Sequence, residues 1–125
     1  MLIIAAAAIE VATGLVLMVA PSALARALLG ADLSQAGQAL CRIAGFALLS
    51  LGWACWPKTD ARKTDAPAGA AVSPALLIYN LLITIYLAYL GIAGELVGVL
   101  LWPAVALHAV LSVVLVRARF LGPTQ

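Results

Sequence analysis

Four polar side chains stand inside otherwise apolar runs of this 125-residue chain: Glu10, Asn80, Thr84 and His108. A carboxyl group, an amide, a hydroxyl and an imidazole are the parts from which a proton or ligand site is built. Glu10 lies near the middle of its apolar run, where an acidic residue costs about +2.5 to +3.5 kcal/mol on the membrane-insertion scale. Nine Leu, Ile and Val residues share that run and return roughly 3 to 5 kcal/mol at about −0.3 to −0.6 each. Insertion survives the glutamate, but lipid exposure would waste it, so Glu10 is expected to face a bundle interior or water as a proton-binding group.

The elements that must position these groups follow from composition. Hydrophobic residues make up 66% of the chain, against ~45–50% in a soluble domain. Lys, Arg, Asp and Glu supply 10% of the residues, where about 25% is usual. Too few charges exist to solvate a surface or follow phosphates, which excludes a soluble enzyme, a disordered chain and a nucleic-acid partner. A membrane span needs about 20 apolar residues, and four runs qualify: 2–20, 39–56, 74–91 and 96–116. The expectation is an all-α fold, a left-handed four-helix transmembrane bundle forming one integral membrane domain over 1–125. Pro21, Leu24, Leu28 and Leu29 opposite Arg26 predict a short interfacial amphipathic helix between the first two spans, ended by Gly30. The segment 57–73 holds five charges and repeats KTDA, and reads as a flexible exposed linker.

Lysines and arginines set the orientation. Lys58, Arg62, Lys63, Arg117 and Arg119 fall on one side of a four-span chain and Arg26 and Arg42 on the other, which places both termini in the cytoplasm. Trp53 and Trp56, and Tyr86 with Tyr89, then take the positions of interfacial aromatic belts. The first run lacks a preceding positive region and carries Glu10, so it is expected to stay as a helix rather than act as a cleaved leader.

Counting ~1.5 Å per residue from the cytoplasmic edge puts Glu10 and His108 at ~12 Å depth, Asn80 at ~9 Å and Thr84 at ~15 Å. Small and polar stripes run through the same residues: Ala6, Glu10, Thr13 and Gly14; Asn80, Thr84, Ala88 and Gly91; Ala104, His108 and Ser112. Tyr79 and Ser112 join this level as secondary candidates. Arg42 lies one turn below the outer surface, where it is expected to snorkel to headgroups, with Glu10 ~10 Å deeper as the alternative. The same polar groups could serve only as interhelical glue, at ~0.6 kcal/mol per hydrogen bond. A bis-histidine haem would need a second copy of the chain, because His108 is the one histidine. No cofactor and no metal are expected.

Cys41 and Cys55 are fourteen residues apart on one predicted helix, ~21 Å along its axis, too far for a disulfide; they read as small buried hydrophobes. Gly94 and Gly98 have the G-x-x-x-G spacing of close helix contacts, and Pro103 predicts a kink one turn above His108. No nucleophile, metal cluster or dinucleotide loop accompanies Glu10 and His108, so the chain is not expected to be an enzyme of known type.

Ala8-Ile9-Glu10-Val11-Ala12-Thr13-Gly14-Leu15 resembles the first helix of small multidrug resistance transporters, which implies for Glu10 alternate binding of protons and cations. Helix three, with Tyr79-Asn80-Leu81-Leu82-Ile83-Thr84-Ile85-Tyr86, departs from that family's tryptophan and glycine pattern, as does the charged linker. Over the whole chain, Gly14 through Pro21, then Arg42-Ile43-Ala44-Gly45 before Leu48-Leu49-Ser50-Leu51-Gly52, resembles small four-span bacterial inner-membrane proteins of DoxX-like type. That resemblance implies an accessory or small-ligand role. Two functions follow as expectations: a bundle that binds a proton and a small amphiphilic or cationic ligand, extending to proton-coupled transport, or a non-catalytic accessory subunit or assembly factor. Partners are the lipid bilayer and either further copies of the chain or a larger membrane complex.

Overall fold

The computed structural model describes residues 2–56 and 73–120, and the predicted linker at 57–73 lies almost wholly outside them. Five helices follow in order: α1 (Leu2–Val19), α2 (Pro21–Leu29), α3 (Gln35–Ala54), α4 (Pro74–Ala93) and α5 (Leu101–Phe120). No strand occurs among the described residues. α4 and α5 are each long and apolar enough to cross a membrane, and α1 with α2 passes the same test as one element bent by 113°. The chain is thus an all-helical protein with two or three candidate spans. α3 has the length but is diluted by Gln35, Gln38, Arg42 and Ser50.

α1 and α3 pair through glycines. A Cβ on Gly14 would stand 2.8 Å from the Gly45 carbonyl oxygen, one on Gly45 2.7 Å from that of Gly14, and one on Gly52 2.8 Å from that of Ala7. Backbone therefore lies on backbone at two levels, and the descending order on α1 against the ascending order on α3 makes the pair antiparallel. α4 and α5 form the second pair, with Gly91 against the Trp102 ring. One end of the bundle is closed by Ala6, Ala7, Cys55, Leu76, Leu111 and Leu115, drawn from α1, the C-cap of α3, α4 and α5.

The other end is covered by α2. Pro21 opens it, where a missing N–H costs nothing, and Gly30 closes it at φ 68°, its N–H donating to the Arg26 carbonyl. The next two carbonyls of the helix end, Ala27 and Leu28, accept from the N–H groups of Leu100 (2.8 Å) and Gly98 (2.9 Å). The α4–α5 connection thereby satisfies α2's terminal acceptors. An exposed Arg26–Asp32 ion pair at 2.9 Å adds a surface contact that is worth little in solvent.

Several expectations change here. The last helix starts at Leu101, not at 96, because Gly94 ends α4 at φ 76° and 95–100 dock on α2. Pro103 accordingly falls in the first turn of α5 and is no mid-helix kink. The G-x-x-x-G pair is not a helix face: Gly94 is a cap with open space around it, and a Cβ on Gly98 would collide with the Ala27 carbonyl. Arg42 is exposed and does not turn to Glu10; its Nε donates to the Met18 carbonyl at the end of α1 (3.3 Å). The cysteines are free, as their spacing predicts, with Cys55 buried and Cys41 half-buried.

Gly45→Ala is expected to lower stability by about 1–3 kcal/mol through overpacking. Gly37→Ala, whose added carbon meets nothing nearer than 3.4 Å, should stay within about 0.5 kcal/mol of the parent. Reversible unfolding in mixed micelles measures both, and equal effects would contradict the backbone contact.

Candidate functional site

The structure joins three of the four singled-out residues into one buried chain across three helices. Glu10 on α1 and Asn80 on α4 are fully inaccessible and His108 on α5 is 8% exposed. Asn80 Nδ2 donates to Glu10 Oε1 at 3.2 Å and to the Leu76 carbonyl of its own helix at 2.9 Å. Asn80 Oδ1 lies 2.9 Å from His108 Nδ1. A carbonyl oxygen can only accept, so the contact with Leu76 fixes which end of the amide is nitrogen. Oδ1 must then face the imidazole, and in the neutral ring Nδ1 carries the proton and Nε2 the lone pair.

Helical spacing explains who takes part. Glu10 lies on the inward stripe of α1 with Ala6, and Asn80 and His108 are on the buried faces of α4 and α5 with Leu76, Leu87, Leu111 and Ser112. Thr84 and Ser112 share the region but bond within their own helices, to the Asn80 carbonyl (2.7 Å) and the His108 carbonyl (2.8 Å). They stiffen the backbone behind the site rather than enter it. Tyr79 meets the His108 ring edge-on, with centroids 6.2 Å apart and planes at 83°. Arg42, on the far stretch of α3, has no part in the cluster.

Two polar atoms remain unpaired. Glu10 Oε2 is fully buried and has no hydrogen-bond partner. His108 Nε2 is likewise without a partner, but it is not sealed. The His108 side chain helps to line a cavity of about 390 Å³, with Thr13 and Leu17 of α1, Leu28 of α2, Tyr79 and Leu87 of α4 and Ala104 of α5 among the other walls. Cys41 and Leu48 complete the wall from α3. The volume is within the ~300–1,000 Å³ of small-molecule sites. Glu10 and Asn80 are not among the wall residues; the hydrogen-bonded connection from the cavity wall to them runs through His108.

Sequence reasoning placed Thr13 on the polar stripe without giving it a role, and it missed Cys41 and Ala104 as wall residues. The stripe itself was the available signal. Among the described residues no group of three His, Cys, Asp or Glu could hold a metal ion. No known protein family, curated protein or solved structure matches this chain, so neither resemblance drawn from its sequence is supported by a relative.

The bond between Glu10 and Asn80 should show in a double-mutant cycle. Glu10→Ala and Asn80→Ala are expected to couple by about 0.6–1.7 kcal/mol, the range of interhelical hydrogen bonds in membranes. Unfolding free energies of the two single variants and the double variant measure it, and additivity would deny the bond.

Proposed function

We propose that this protein is a four-span membrane bundle that binds a small amphiphile in the cavity beside His108 and links its occupancy to a proton on Glu10. The single observation that carries this is a continuous polar chain, Glu10–Asn80–His108, running from a sealed carboxyl group to the wall of an apolar cavity. A carboxyl group at mid-membrane is expensive as a mere adhesive, and its connection to a ligand-sized space gives the cost a use. The linkage is electrostatic: any change in charge or hydrogen bonding at the imidazole is felt at the carboxyl group through one amide.

An uncharged amphiphile suits the cavity better than a cation. Glu10 is not in the wall, and the wall residues are aliphatic apart from Thr13, Cys41, Tyr79 and His108. A cation would lose its hydration without reaching a carboxylate.

The fourth span is α3. Its 20 residues reach ~30 Å, the thickness of the hydrocarbon core. It is antiparallel to α1, and its outer side presents Leu40, Ile43, Phe46 and Trp53, which suit lipid. With four spans, Arg117 and Arg119 share a side with the lysines and arginine of the linker. That balance supports cytoplasmic termini in a bacterial inner membrane.

Glu10→Gln keeps an oxygen for Asn80 to donate to while removing the titrating group. In nanodiscs at low buffer strength, addition of a neutral amphiphile such as 1-naphthol is expected to change the number of bound protons in the parent and not in Glu10→Gln. Binding itself should persist in that variant. Identical proton exchange in both proteins would sink the proposal.

A further inference from the structure

The hydrogen-bond pattern behind the cavity restricts what its occupant can be. Asn80 spends its amide N–H groups on the Leu76 carbonyl and Glu10 Oε1, which leaves its oxygen to the imidazole and fixes the His108 proton on Nδ1. His108 lines the cavity, and the ring nitrogen it has left without a partner is Nε2, which carries a lone pair. Tyr79 stands edge-on to the ring and restrains its orientation. The rest of the wall near this point, with Ile9, Ile83 and Leu107, gives no charged group.

We infer that the cavity selects amphiphiles whose polar end is a hydrogen-bond donor, a phenolic or alcoholic hydroxyl, which His108 Nε2 accepts while the apolar body fills the space toward Leu17, Leu28, Leu87 and Leu100. This rests on the cavity being a ligand site, as proposed above, and adds to it the chemical class of the ligand. The wall's own donors are the Thr13 and Tyr79 hydroxyls and the Cys41 thiol, but at Nε2 an ether or ketone of the same shape brings only a second acceptor. The two lone pairs face each other, and the buried acceptor stays unpaired. Sites that pair a buried polar group discriminate strongly against analogues that lack the matching one. Glu10 deepens the selection, since its one bond to Asn80 holds the amide in the orientation that presents the imidazole.

The test uses a matched pair of probes, 1-naphthol and 1-methoxynaphthalene, added to the full chain in lipid nanodiscs at equal bilayer concentrations. The chain has one histidine, so labelling histidine with ¹⁵N gives a single imidazole to observe. Before any addition, Nδ1 should be the protonated nitrogen. Naphthol is expected to bind about tenfold or more tightly than its methyl ether, the equivalent of one good hydrogen bond. It should also shift the Nε2 resonance in the direction of an accepted hydrogen bond, whereas the ether should leave that resonance in place. Ala104→Phe, which fills the cavity, should remove both effects.

Equal affinity for the two probes, with both sensitive to Ala104→Phe and Nε2 unmoved, would overturn the donor requirement while leaving the cavity as a binding site. Binding of neither probe, or binding indifferent to Ala104→Phe, would overturn the cavity proposal as well. A proton found on Nε2 in the free protein would refute the inference before any ligand is added. No variant is needed for the central comparison, so a folding defect in Ala104→Phe leaves the outcome readable.

Discussion

An asparagine amide between a carboxyl group and an imidazole is the interaction on which the rest of this structure turns. Glu10, Asn80 and His108 come from three helices, and each alone would be costly in hydrocarbon. Their burial is tolerable only if α1, α4 and α5 hold one relative depth and one relative rotation, because a turn's displacement of any of them leaves an acceptor or donor unpaired. Individual interhelical bonds contribute modestly, about 0.6 kcal/mol. The alternative state, an unpaired carboxyl group facing lipid, sets a penalty several times larger. The amide therefore specifies an arrangement more than it strengthens one.

That arrangement divides the protein along its length. Toward one end, small alanines and interleaved leucines from four helices close the interior. Toward the other, the helices part around the cavity, and α2 supplies part of its wall with its last carbonyls held by the α4–α5 connection. The polar chain sits at the junction. Its carboxyl end is in the sealed part and its imidazole end at the cavity wall.

Much of this was legible in the sequence. A 3.6-residue period puts Glu10, Asn80 and His108 on inward stripes, and simple rise per residue puts them at similar depth. Pro21 and Gly30 bound α2 because their backbone preferences are local. What could not be seen was anything that depends on rotation about a helix axis or on a distant partner. Thr84 shares the depth yet bonds backward to its own helix. Arg42 finds a carbonyl that only the α1–α3 pairing brings near. Gly98 and Pro103 were misplaced because residues 95–100 are apolar enough to read as helix, while their actual task is to dock on α2. The cavity was invisible for the same reason: it is the gap between two hairpins, and a gap leaves no mark in a one-dimensional pattern.

The glycine seam between α1 and α3 has a mechanical corollary. Where two backbones touch with no side chains between them, sliding or spreading would break many contacts at once, and close-packed surfaces yield little. This half of the molecule behaves as a stiff plate. Any widening of the cavity must then come from the opposite side, by displacement of the α4–α5 pair or of α2. Glu10 belongs to the plate and Asn80 and His108 to the α4–α5 pair, so the Glu10–Asn80 bond is the contact at which such a displacement would register.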